Sequence, residues 1–306
     1  MAAFDYPGEF ALITGVLSAA GFDIASGDVF TYALAPEPAA PAVVGRGRRR
    51  PSVSAAPLNR RKILDRFMGV RQGPLSLEAW REEVARHLSR VLGLLESGGA
   101  EAAAEAKRLV NEQVARRLGS LPINRLPVLY PVELEVDNAG MRTRLVVRSQ
   151  DTPVFLYAMS GALSLQGLVI ERVTIRTTAG RIEDTIEVAD ARGAKITDAA
   201  FLDRLKLTVL MTKQFTYFVG SAPDPYAALC RFEQLLEHAL RGAERGQWLD
   251  LFSNPDRLRD LARLLGASDF LWEDFIRLQY ETLLPLLRPA SGPDAPARPR
   301  MGPALD

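Results

Sequence analysis

Cysteine and histidine are almost absent from this chain. A single cysteine, Cys230, excludes a disulfide framework within the chain and any cysteine-based zinc site. Two histidines, His87 and His238, exclude a multi-histidine metal centre. Neither sign of charge is in excess: 38 Lys and Arg face 37 Asp and Glu, and a net charge of +1 argues against a dedicated nucleic-acid binder. No apolar run reaches the roughly 18–20 residues that span a bilayer. The N-terminus lacks a basic stretch followed by an apolar one, so no signal peptide is expected. What remains, 47% apolar and 25% charged over 306 residues, is the composition of a soluble globular chain with room for two domains or three small ones. The expectation is a cytoplasmic protein with neither membrane nor nucleic acid as partner.

What the sequence does contain is a repeat. Shifted by 146 positions, DYPGEFALITGVLSAAGFDIASGDVFTY from Asp5 aligns without a gap on DTPVFLYAMSGALSLQGLVIERVTIRTT from Asp151. Asp5/Asp151, Pro7/Pro153, Gly15/Gly161, Leu17/Leu163, Ser18/Ser164, Gly21/Gly167, Ile24/Ile170 and Thr31/Thr177 are identical. Each copy opens a helix with Asp and Pro, proline losing nothing near a first helical position where its N–H would be unpaired. Phe10, Ile13, Val16 and Leu17 form one apolar stripe, and Leu156, Met159 and Leu163 the other. Gly21 and Gly167 stand where a helix end favours a left-handed residue.

A strand follows each helix. In the second copy Val169, Val173 and Ile175 are followed by an Ala179-Gly180-Arg181 turn and a returning strand with Ile182, Ile186 and Val188. Met141–Arg148 alternates as the strand before this helix, preceded by Val132–Asp137 and a DNAG turn; Asp198 caps a later helix. That order predicts a split βαβ unit of the ferredoxin-like type. The first copy reads as incomplete, with only Met1–Phe4 ahead of Asp5 and a Pro, Ala and Arg linker after Leu34. Three helical patterns follow: Ile63, Phe67 and Val70; Trp80, Val84, Leu88, Val91 and Leu95; Ala103, Val110, Val114 and Leu118. Residues 208–220 are apolar almost all round and fit either a buried helix or a strand. Asp224-Pro225, Asn254-Pro255 and Ser268 start three more helices. The expected organisation is therefore a partial module over 1–35, a linker over 36–58, a helical insert over 59–120, a full module over 128–220, a helical region over 221–288 and a disordered tail over 289–306.

The D-x-P opening, the helix ending in glycine and the hairpin resemble the ACT domain, a small regulatory module that commonly binds amino acids. The expected fold class is thus α+β, with ACT-like βαββαβ modules, a helical insert and a C-terminal all-helical region. LYAMSGALSLQGLVIERVTIRTTAGRIEDTIEVAD with GAKITD resembles the ACT segments of protein-PII uridylyltransferases. LARLLGASDFLWEDFIRLQYETLLPLL is similar to the opening helices of glutamine synthetase adenylyltransferases. The resemblance implies a sensor of an amino acid, glutamine foremost, tied to a nucleotidyltransferase that acts on glutamine synthetase or PII, with homo-oligomerisation through the modules. Mg²⁺ and ATP or UTP would belong to the catalytic domain of that family.

No catalytic centre is expected in this chain. Leu118-Gly119-Ser120 followed by Glu133-Leu134-Glu135 is the one literal match to a nucleotidyltransferase site, and Pro122, Pro127 and Pro131 forbid the helix it needs. The chain reads as a regulatory fragment. The candidate ligand-binding residues are Asp5, Pro7 and Gly8 in the first copy and Asp151, Thr152 and Pro153 in the second. Gly8 admits close backbone approach and the helix-start N–H groups suit a carboxylate, whereas Val154 adds bulk at the matching place; a plain helix-start turn is the other reading of both loops. Arg46 and Arg48–Arg50 read as a solvated charge cluster, and Trp80, Trp248 and Trp272 as core. His87 and His238 read as structural or exposed, and Cys230 as a buried inert thiol.

Overall fold

In the computed structural model the described residues are 1–32, 61–120, 132–152, 154–241 and 254–269, with Phe252 and Trp272. They run β1 (Ala2–Phe4), α1 (Glu9–Ala19), β2 (Phe22–Tyr32), β3 (Lys62–Arg71), α2 (Leu77–Ser97), α3 (Ala100–Ser120), β4 (Glu133–Asp137) and β5 (Thr143–Gln150). Then come α4 (Phe155–Leu165), β6 (Val169–Thr178), β7 (Arg181–Ala189), α5 (Ala199–Phe218), a 3-10 turn (Val219–Ser221), α6 (Pro225–Arg241) and α7 (Pro255–Leu265). The chain is α+β. Among the described residues no helix is long and apolar enough to cross a membrane.

The two halves of the repeat fold alike, for the same local reasons. Each helix is entered through a left-handed residue, Gly8 at φ 76° and Val154 at φ 55°. Each ends on a left-handed glycine, Gly21 at 73° and Gly167 at 72°, whose N–H bonds back to Ser18 and Ser164. Even the irregularities match. The β2–β3 ladder slips between Ile24 and Ser26, and the β6–β7 ladder slips between Ile170 and Arg172, 146 residues on.

All strands join one antiparallel sheet in the order β1-β3-β2-β6-β7-β5-β4. The two βαββ units therefore meet at β2 and β6, with an edge strand at each end. Along one face the sheet buries Val29, Leu145, Val147, Val173, Ile175, Ile182, Ile186 and Val188 with Phe10, Phe155, Met159, Leu205 and Val209 of α1, α4 and α5. Val84 of α2 meets Ile63 on the same side. Behind these lie α3, α6 and α7, which pack a second core around Val110, Val114, Phe215, Phe232, Leu258 and Leu261. Because α1 sits between the two cores, all its residues from Glu9 to Leu17 are buried. Among the described residues no helix covers the other face of the sheet. In the β4–β7 half it carries ion pairs, Arg148 lying 3.2 Å from both Glu135 and Glu183.

Several expectations are corrected. The helical insert foreseen over 59–120 opens with a strand: Ile63 and Phe67 stand four apart, a spacing that suits two strand repeats as well as one helical turn. Their alternation with exposed Leu64 and Met68 decides for β3, so the first unit extends beyond 1–35. Ala2–Phe4, thought too short to serve, forms the edge strand β1 on β3. The closing strand of a βαββαβ order is not seen: among the described residues no strand follows α5, and β4, the strand that follows α3, pairs with β5 at the far edge of the sheet rather than with the first unit. The ambiguous 208–220 segment is helical through Phe218 and buried on almost every side, because α5 is packed between the sheet and the outer helices. The linker over 36–58 and the tail over 289–306 lie outside the described residues.

Candidate functional site

Acids interrupt the buried face of the third strand in both units. On β7 the inward series is Ile182, Asp184, Ile186 and Val188; on β3 it is Ile63, Asp65 and Phe67. Asp65 and Asp184 are each only 2% exposed. Beside Asp184 the second Asp-x-Pro loop leaves β5, and α4 begins. Lys213 of α5 reaches up under this loop, donating to the Gln150 carbonyl at 2.7 Å and to Thr152 Oγ1 at 2.6 Å. Its ammonium lies 4.0 Å from the centre of the Phe155 ring.

The electrostatics follow from burial. Loss of water pushes Asp184 up to about 7, against a hydrogen bond from the Arg176 backbone N–H at 3.3 Å. Burial pulls Lys213 down to about 7 although Asp151 and Asp184 hold it up. Asp151 is raised, first by burial and then by the charge of Asp23. The group is a desolvated cation facing two carboxylates that resist ionisation.

Above it opens a cleft of about 270 Å³. The second unit contributes Asp151, Thr152, Val154, Phe155 and Asp184; the first contributes Ser18, Gly21 and Asp23, from the end of α1 and the start of β2. Arg117 of α3 and Gln72 after β3 close one side, Arg117 Nη2 donating to Gln72 Oε1 at 3.0 Å. The cleft thus straddles the seam between the copies. The lining carries the carboxyl groups of Asp151, Asp23 and Asp184 and the guanidinium of Arg117, the two kinds of group that pair with the ammonium and the carboxylate of a small zwitterion.

In the first unit the equivalent aspartate is already paired. Asp5 lies 3.1 Å from Arg61 Nε, and the Arg61 guanidinium forks onto Glu171 at 2.9 and 2.8 Å. Glu9 stands where the second unit has Phe155; burial pushes it up to about 8, and its Oε1 has no hydrogen-bond partner. Asp65, with neither carboxylate oxygen bonded, is pushed up to about 6 for the same reason.

The six sequence candidates are therefore divided. Asp151 and Thr152 line the seam cleft, and Asp5 is engaged by Arg61. Pro7 and Gly8 line a different cavity, among the helices. Pro153 lies outside the described residues. Val154, read as adding bulk at this place, lines the cleft in the left-handed conformation that glycine adopts at Gly8. Asp23, Arg117, Asp184 and Lys213 were not foreseen. The signal for two of them was present: an acid on the apolar face of a strand, and a lysine inside a stretch apolar almost all round.

Elsewhere the sequence readings meet varied surroundings. Cys230 is half-buried, its thiol raised by burial and accepting from Asn111 Nδ2 at 3.4 Å. Trp80 packs on Phe22 and donates to the Ala20 carbonyl at 2.8 Å, and Trp272 is buried. Gly119-Ser120 closes α3 rather than opening a helix, and Glu133 and Glu135 are exposed on the edge strand β4. Among the described residues no group of three or more His, Cys, Asp or Glu is placed to hold a metal. The side chain of His238, Trp248 and the Arg46–Arg50 cluster lie outside the described residues.

Comparison with known proteins returns no match, whether against family models, curated proteins or solved structures.

Proposed function

We propose that this chain is a regulatory sensor that binds a small L-amino acid, glutamine foremost, at the seam between two ACT-like units. The observation that carries the reading is that neither unit makes the cleft alone. Asp151 and Asp184 come from one copy, and Ser18, Gly21 and Asp23 from the other. A ligand there is held best when the copies are in one relative arrangement, so binding shifts the population toward it. Arg117 belongs to α3, which packs against α1 and α6, so the same ligand also fixes the helical layer. In this reading the chemistry is carried out elsewhere, by a nucleotidyltransferase that acts on glutamine synthetase or PII, and the chain supplies the signal.

A thermal-shift panel tests this. L-glutamine and other L-amino acids at millimolar concentration should raise the melting temperature. Glutamine amide analogues lacking either the ammonium or the carboxylate should not, because each leaves either the acids or Arg117 of the cleft without its partner. Arg117→Leu should abolish the response. An unchanged melting temperature across the whole panel would favour the other reading, in which the paired units only hold a shared sheet together and the helices dock a partner.

A further inference from the structure

The charged side chains that line the seam cleft stand at different depths. Asp23 is exposed and Asp151 and Arg117 are half-buried, whereas Asp184 is only 2% exposed. Asp184 lies on β7 between the buried Ile182 and Ile186, so its carboxyl belongs to the cleft floor with Phe155, Ile175 and Ile182. One of its oxygens is engaged: Oδ1 accepts the Arg176 backbone N–H at 3.3 Å. The other, Oδ2, accepts from no described group. It is nevertheless not sealed in the interior, as both oxygens of Asp65 are on the third strand of the first unit. A deep acid with one unbonded oxygen on a cleft is a place for a polar ligand atom.

The shallower groups suit what every amino acid has in common, the ammonium at Asp151 and Asp23 and the carboxylate at Arg117. The floor is left for the side chain. Lys213 offers no charge there, since it lies under the loop on Gln150 and Thr152 and does not line the cleft. A carboxamide can serve Oδ2 in either protonation state, donating an N–H to a carboxylate or, turned over, accepting from a carboxyl. A carboxylate has only one way to meet it. Two carboxylates in contact do not both ionise, so Oδ2 must carry a proton before a second one can approach.

We infer that Asp184 reads the ligand's side chain, taking the neutral carboxamide of L-glutamine and turning away the carboxylate of L-glutamate. The inference rests on the seam reading and adds the source of its specificity. Burial, and then the charge of Asp151, hold Asp184 up at about 7, against the Arg176 N–H and the charge of Lys213. Its proton is therefore present at pH 6 and mostly gone at pH 8. Above pH 7 glutamate has to bring a proton with it, and glutamine does not. Asp151, Asp23 and Arg117 act on the ends that the two ligands share, so their own titration leaves the ratio of the two affinities unchanged.

Calorimetric titration of the full chain with L-glutamine and with L-glutamate, at pH 6 and at pH 8, tests this. The ratio of glutamine to glutamate affinity should rise about tenfold between the two pH values. Asp184→Asn puts a neutral amide on the floor. It should strengthen glutamate binding at pH 8 by about tenfold and make the ratio the same at both pH values, a gain that a merely structural residue would not give. Asp151→Asn should weaken both ligands and keep the pH-dependent ratio. Glutamine binding with a ratio indifferent to pH, or a ratio unmoved by Asp184→Asn, would overturn the role of Asp184 and leave the seam site standing. No binding of either ligand would overturn both. Should Asp184→Asn fail to fold, the ratio in the unsubstituted chain decides alone.

Discussion

Asp28 and Thr174, 146 residues apart, lie directly opposite each other in the antiparallel pair β2–β6. The offset that superposes the two sequence copies is thus also the register in which they pair. Gly27 opposes Ile175 and Val29 opposes Val173, so one local two-fold axis relates the units. The chain makes within itself the contact that two separate copies would make as a dimer. Departures from the two-fold are where the two copies differ in their contacts.

Gly15 and Gly161 are equivalent by the repeat and opposite in their surroundings. An alanine Cβ at Gly15 would stand 2.4 Å from Val110 Cγ1, in the contact of α1 with α3 and α4. Gly15→Ala should destabilise by about 1–3 kcal/mol through overpacking. Gly161→Ala should be neutral or stabilising by up to about 1 kcal/mol, since helix propensity is gained and nothing is met. Urea denaturation of the two variants reads the difference.

Stability should rise on mild acidification. Glu9, Asp65 and Asp184 have folded values of about 8, 6 and 7, above the ordinary carboxylate range. Between their unfolded and folded values the folded state binds more protons, so stability falls as pH rises through that window. Lys213 acts with opposite sign, but only from about pH 7 upward, where its folded form deprotonates before its unfolded form. The melting temperature at pH 5 should therefore exceed that at pH 7, and Glu9→Gln should flatten the slope. A profile that falls steadily from pH 7 to pH 5 contradicts this account of the buried acids.

Lys213→Met removes the donor to Gln150 and Thr152 and leaves Asp151 and Asp184 without their cation. A loss of about 1–3 kcal/mol is expected at neutral pH, the usual cost of stranding buried polar groups. Adding Asp184→Asn should recover part of it, because one carboxylate then needs no counter-charge. Additive losses in the double variant, measured by denaturant titration, would show that the two groups do not interact.

How much of this was legible in the sequence depends on which residues carried it. The repeat was legible because helix starts, glycine stops and apolar spacing were kept together over 28 positions. It led to α1, β2, α4 and β6, but the pairing of the two copies through β2 and β6 came only with the structure. β3 was missed because its partner strand lies some 30 residues upstream, and Ile63 and Phe67 alone do not separate the two periods. The seam cleft was half-legible: Asp151 and Thr152 come from a local motif, whereas Arg117 and Asp23 reach it only through tertiary packing. The first copy's loop looked the better ligand site on account of Gly8, but Arg61, at the far side of a linker, pairs with Asp5 and Glu171 there. A contact between residues 110 apart leaves no trace in local pattern.

The central claim is that one copy of the pair binds an amino acid and the other has closed its site. Calorimetric titration of the intact chain with L-glutamine and related L-amino acids measures that most directly, through stoichiometry. The account predicts a single site per chain, lost in Arg117→Leu and weakened in Asp151→Asn. No heat with any of them at millimolar concentration, two equivalent sites, or a single site untouched by both substitutions would contradict it.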